Sequence, residues 1–184
     1  LISNLTGRNN RGRLTAQVLQ AQSAVDLVAI FSPEHGFLSI EEGNVESTTD
    51  NASGLPIYSL YGDVRRPTSE MLNGLDGLVF DIQDIGTRFY TYATTMAYAM
   101  EEAAAQGLPF VVLDRPNPIA GNYVQGPLLD EGELSFVGYA PIPLRHGMTM
   151  GELARYFNEE RGIGADLTVV EVAGWRRTDW YDAT

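Results

Sequence analysis

Three short polar clusters each follow an apolar run. Glu34 and His35 come after VDLVAIF at 25–31. Asp81, Gln83, Asp84 and Arg88 come after LVF at 78–80. Asp114, Arg115 and Asn117 come after PFVVL at 109–113. Carboxylic acids beside arginines and a histidine suit proton transfer to a leaving oxygen and recognition of an anionic substrate. In an open parallel sheet the carboxyl ends of the strands share one edge, and ligands bind in the crevice there. The three clusters are therefore expected to converge on one cleft. Each also has a plainer role when taken singly. An aspartate after a strand caps a helix or pins a turn, and an arginine beside it forms a structural ion pair.

Composition removes several chemistries. The 184 residues include 24 Asp plus Glu against 12 basic residues, a net charge of −12. Every basic residue is arginine, and there is no cysteine. Without lysine there is no Schiff base and no P-loop lysine. Without cysteine there is no thiol nucleophile, disulfide or zinc finger. The acidic balance argues against a nucleic-acid partner, which needs a basic face. No apolar run approaches the roughly 20 residues of a membrane span. A G-x-S-x-G nucleophile elbow is absent. Gly162-Ile163-Gly164 precedes a strand-like run, whereas a dinucleotide fingerprint follows one. His146 could join Asp81 or Asp84 on a metal, but no ligand spacing supports it, so no metal and no cofactor is expected. Paired carboxyls remain, and they fit glycoside hydrolysis. Glu34 is the preferred general acid, since it follows a buried run and Pro33. Glu41 and Glu42 lie on the same loop and could supply a second carboxylate.

The elements that must position these groups read as alternating strands and helices, which predicts an α/β fold with a parallel sheet. Strands are expected at 1–4, 25–31, 55–60, 78–81, 109–113 and 167–172. Helices are expected at 14–21, from 68 to 72 and at 89–106. In the last of these Phe89, Ala93, Met96, Met100 and Ala104 repeat at helical spacing, and Gly107 stands where a left-handed stop belongs. Thr149 and Glu152 form a capping-box pattern for a helix through Arg161. Residues 119–147 carry Gly and Pro with little periodicity. They read as a long irregular excursion, more often functional than idle.

Five motifs carry a family resemblance. They are Ser32-Pro33-Glu34-His35-Gly36-Phe37, Gly54-Leu55-Pro56 with Ser59-Leu60-Tyr61-Gly62, the run from Phe80 to Tyr92, Leu113-Asp114-Arg115-Pro116-Asn117-Pro118, and Arg145-His146-Gly147-Met148-Thr149. Together they closely resemble the DUF1343 family, which includes exo-β-N-acetylmuramidases. The resemblance implies a Rossmann-like α/β fold: an open, mostly parallel sheet with helices on both faces. It implies that residues 1–184 form one such domain, the first part of a longer protein, without the family's smaller C-terminal domain. The implied activity is release of N-acetylmuramic acid from the non-reducing end of peptidoglycan fragments, in the cell envelope or another extracytoplasmic place.

Glu34 and Glu42 are then the expected catalytic pair. Family members continue the Pro-Glu-His-Gly-Phe segment with Arg-Gly and an Ala-Gly-Glu-like stretch. Here Leu38-Ser39-Ile40-Glu41-Glu42 follows, so the glutamate is displaced. The substrate's acetamido group could itself act as nucleophile. Expected substrate-binding residues are His35, Asp81, Gln83, Asp84, Arg88, Tyr90, Asp114, Arg115, Asn117, Arg145 and His146. Among them Arg88, Arg115 or Arg145 would take the lactyl carboxylate bidentately. Tyr90, Tyr92 or Tyr123 would stack on a sugar face. A non-catalytic module that binds muropeptide sugars is the alternative. A metal-assisted hydrolase using His35 or His146 is a third reading.

Overall fold

Short, nearly continuous apolar runs build a sheet covered on both faces. The computed structural model describes residues 1–38 and 46–183. The first unit runs β1 (Ile2–Ser3), α1 (Thr15–Gln20), β2 (Ile30–Ser32). Then come β3 (Thr48–Thr49), β4 (Pro56–Ser59) and α2 (Ser69–Leu72). The second half runs β5 (Leu78–Asp81), α3 (Thr91–Gln106), β6 (Phe110–Leu113), α4 (Met150–Glu160) and β9 (Leu167–Val170). Between β6 and α4 lies an excursion holding β7 (Gln125–Leu128) and β8 (Pro143–Arg145).

The main sheet has the order β3-β4-β2-β1-β5-β6-β9. All neighbours are parallel except the edge pair β3–β4. Taking the six parallel strands in chain order, their spatial order is 3-2-1-4-5-6, the doubly wound arrangement. From β1 the chain winds one way through α1 to β2; from β5 it winds the other way through α3 to β6. The carboxyl ends of β1 and β5 therefore flank the switch point, where such folds bind ligands.

The larger core joins Ile2, Phe31, Phe80, Phe110 and Val112 of the sheet to Met96 and Met100 of α3 and to Leu153 and Phe157 of α4. On the opposite face Leu1, Ile30 and Ile57 pack against Ala16 of α1. Helices thus lie on both faces, unequally. Each fully buried large side chain contributes about 1.5–3 kcal/mol of transfer free energy.

Local signals set the helix ends. Gly107 adopts φ 67° and returns its N–H to Ala103 and Ala104 carbonyls. The Thr149 hydroxyl accepts from Glu152 N at 3.2 Å, and the Glu152 carboxylate accepts from Thr149 N at 3.0 Å. Three expectations shift. α3 starts at Thr91, because 87–90 form a turn closed by Tyr90 N donating to Thr87 O at 3.2 Å. The strand expected at 25–31 begins at Ile30, whose partner Ile57 follows Pro56, a residue with no N–H to extend the ladder. The excursion is not wholly irregular: β7 and β8 pair antiparallel. Gly126, Pro127 and Pro143 in those strands break the period-two pattern that marks a strand.

Candidate active site

A cavity of about 500 Å³ opens at the carboxyl edge of the sheet. Four segments wall it: Glu34 after β2, Tyr61 and Arg65 after β4, Phe89 to Thr91 at the start of α3, and 135–137 of the excursion. Glu34 is half-buried and is held from two sides. Thr91 Oγ1 donates to its Oε2 at 2.7 Å. The Tyr61 phenol also bonds Glu34, and this contact, with the nearby carboxylate charge, raises the phenol's pKa so that it stays a donor. Thr91 is the first residue of α3, so the helix that spans the core sets the Glu34 rotamer directly. Phe89, Tyr90 and Phe136 give the cavity aromatic walls. Tyr90 lies edge-on to Tyr92 with ring centroids 4.5 Å apart. Such walls and a positioned carboxyl suit a sugar, which offers an apolar ring face and polar rim.

A second polar centre sits beside this cavity at the switch point. Asp81, 2% exposed, ends β5. Arg115 clasps it through Nε to Oδ1 at 2.5 Å and Nη2 to Oδ2 at 3.1 Å. Thr15 Oγ1 of α1 donates to Oδ2 at 2.5 Å, and Arg115 also reaches Arg8 O at 2.9 Å. Asp114 caps α4, accepting from Gly151 N at 2.7 Å and Thr149 Oγ1 at 2.9 Å. Burial raises its pKa, against the pull of those donors. Gln83 Nε2 spans Asp84 O and Pro116 O, and Asn117 Nδ2 donates to Met148 O at 2.9 Å. A relay links the two centres. Gln83 N donates to Thr6 Oγ1, which donates to Asn4 Oδ1, and Asn4 bonds the Tyr92 phenol beside Tyr90.

Beneath the loop that leads into α3, Asp84 faces His146. His146 Nε2 lies 3.8 Å from Asp84 Oδ2. Asp84 Oδ2 accepts from Gly86 N at 2.7 Å. His146 Nδ1 accepts from Met148 N at 3.1 Å, which puts the neutral ring's proton on Nε2, toward the aspartate. Burial raises the Asp84 carboxyl to about 6, with the Gly86 and Ile85 N–H groups pulling the other way. Burial lowers the His146 imidazole to about 4, partly offset by the Glu152 charge.

This chain matches the family model described as exo-beta-N-acetylmuramidase NamZ, N-terminal, over residues 1–184. It belongs to the NamZ N-terminal family. It is 51% identical over 186 residues to the peptidoglycan beta-N-acetylmuramidase NamZ of Bacillus subtilis (strain 168), covering 100% of this chain and 45% of that protein. Two crystal structures of DUF1343 family proteins from Bacteroides fragilis NCTC 9343 share the fold. One has a TM-score of 0.90 at 45% identity, covering 98% of this chain and 46% of the other. The second has 0.83 at 40%, covering 98% and 48%. The chain spans about half the length of these relatives.

Within this NamZ-family chain the sequence-derived candidates divide. Glu34 and Tyr90 line the cavity. Asp81, Gln83, Asp84, Asp114, Arg115, Asn117 and His146 form the adjoining polar centre. Arg88 donates to Pro127 O at 2.9 Å and Ile142 O at 2.5 Å, tying down the β7–β8 hairpin. Arg145 donates to Ile119 O and Gln125 Oε1 and stacks over Tyr123 and Trp180. His35 follows Glu34 with φ 71°, shaping the turn. Glu42, with Glu41, lies outside the described residues. The cavity also holds Tyr61, Arg65, Phe89, Thr91 and Phe136, which sequence reasoning did not select. Tyr61 and Phe89 to Thr91 stand inside the family motifs, so a signal existed for them. Arg65 and Phe136 stand outside every motif.

Proposed function

We propose that this chain supplies the acid-bearing cavity of a glycosidase that releases N-acetylmuramic acid from the non-reducing end of peptidoglycan fragments. The supporting observation is the Glu34 carboxyl, fixed by Thr91 Oγ1 at 2.7 Å and by Tyr61 in the wall of an aromatic cavity. The activity for which the Bacillus subtilis relative is named supports the same reading. In this scheme Glu34 protonates the glycosidic oxygen as the bond from that oxygen to the anomeric carbon breaks. Glu34 is the carboxyl among the described lining residues. The developing cation is then met by Glu42 or by the substrate's acetamido oxygen, and water completes hydrolysis.

The test is Glu34→Gln in the longest natural polypeptide that carries this chain, assayed for N-acetylmuramic acid release. Turnover should drop about 10²–10⁴-fold, with sugar binding retained by calorimetry. Turnover near wild type removes Glu34 from the role. The second reading is a sugar-binding module. It predicts binding without release in both forms.

A further inference from the structure

Arg65 stands at the wall of the Glu34 cavity. It lies on the loop after β4, four residues beyond Tyr61, which bonds Glu34. Its guanidinium stands 4.6 Å from the centroid of the Phe136 ring and lines the Glu34 cavity. The neighbouring arginines are committed elsewhere. Arg66 pairs with Glu101 and Glu102 and lies over Tyr98. Arg115 is spent on Asp81, Arg88 on two carbonyls, and Arg145 on Ile119 and Gln125. Among the described residues Arg65 has no carboxylate partner, although Glu34 shares its cavity. An arginine resting on an aromatic ring keeps its in-plane N–H fork available, the geometry that receives a carboxylate bidentately. In a chain of net charge −12, such a cation at a cavity wall offsets repulsion of an anionic ligand.

We infer that Arg65 is the specificity-determining residue of this site: it pairs with the carboxylate of a lactyl-substituted amino sugar and so selects N-acetylmuramic acid over N-acetylglucosamine. The two sugars differ by that lactyl ether, so a carboxylate receptor beside Glu34 is what would distinguish them. The inference rests on the hydrolase reading for its catalytic consequence. Recognition itself stands on the cavity alone. Because Arg65 is exposed, the preference weakens as salt rises.

The experiment has two arms, each with wild type, Arg65→Gln and Arg65→Lys. In the first, this chain is titrated calorimetrically with N-acetylmuramic acid and with N-acetylglucosamine at low ionic strength. In the second, the longest natural polypeptide cleaves paired chromogenic glycosides of the two sugars. The expected result is a fall of about 10-fold or more in the muramic-to-glucosamine ratio for Arg65→Gln, the scale of one charge-assisted pair. Arg65→Lys should fall between, keeping the charge and losing the fork. Cleavage with an unchanged ratio in Arg65→Gln overturns the inference and leaves the hydrolase reading standing. Arg65-dependent binding without cleavage supports the inference and sinks the hydrolase reading. Binding of neither sugar by this wild-type chain overturns the inference, while cleavage by the longer polypeptide decides the hydrolase reading separately.

Discussion

The Asp84–His146 pair makes a quantitative prediction about stability against pH. Asp84 ionises near 3.8 when unfolded and near 6 when buried. Between those values the native state holds the extra proton, so stability falls as pH rises. His146 takes its proton near 6.5 when unfolded and near 4 when buried. Between those values the unfolded state holds the extra proton, so stability rises with pH. Each effect amounts to about 3 kcal/mol. Their signs are opposite and their windows overlap, so the pair's net contribution is nearly level from pH 4 to 6. His146→Asn exposes the aspartate alone. The asparagine oxygen replaces Nδ1 as acceptor for Met148 N–H, so the loop keeps its bond. Relative to wild type, this variant should lose about 3 kcal/mol between pH 4 and 6. Asp84→Asn keeps an acceptor for Gly86 N–H and should gain about as much between pH 4 and 6.5. The assay is urea unfolding followed by tryptophan fluorescence at constant ionic strength, repeated across this range. Three parallel stability curves would refute the reasoning.

Two further perturbations test the frame of the site. Arg115→Met leaves the Asp81 carboxylate buried without its cation and should cost about 3–5 kcal/mol in urea unfolding. A loss under 1 kcal/mol would mean that Asp81 is not held in the way its two bonds to Arg115 imply. Gly86→Ala places a Cβ against Asn117 Oδ1 and 2.7 Å from Ile119 Cγ1, at φ 81°. It should destabilise by more than about 1 kcal/mol, from left-handed strain and the clash together. A variant as stable as wild type would show that this turn relaxes freely.

Much of the fold was legible because its signals are local. The repeat of Ala93, Met96 and Met100, the stop at Gly107 and the Thr149–Glu152 box each act within a turn or two of helix. They marked α3 and α4 within two residues. The alternation of strands and helices predicted the parallel sheet, and the sheet brought Asp81 and Arg115, 34 positions apart in the chain, into contact. The β7–β8 hairpin escaped, since prolines and a glycine break the period that marks a strand.

The chemistry available was set by the amino-acid sequence itself. A chain without lysine or cysteine leaves charge recognition to arginines and makes its carboxyls the leading candidates for proton transfer, and the place of Glu34 after a buried run marked it as one of them. Tertiary packing decided which of those groups meet at one cavity. Arg88, Arg115 and Arg145 stand in recognisable motifs, yet folding turns their guanidiniums toward backbone carbonyls and Asp81. Arg65 and Phe136 are separated by 71 positions in the chain and come together at the cavity that Glu34 lines. Residue type and spacing encode which bonds a side chain can make, while long-range packing settles which partners come within reach.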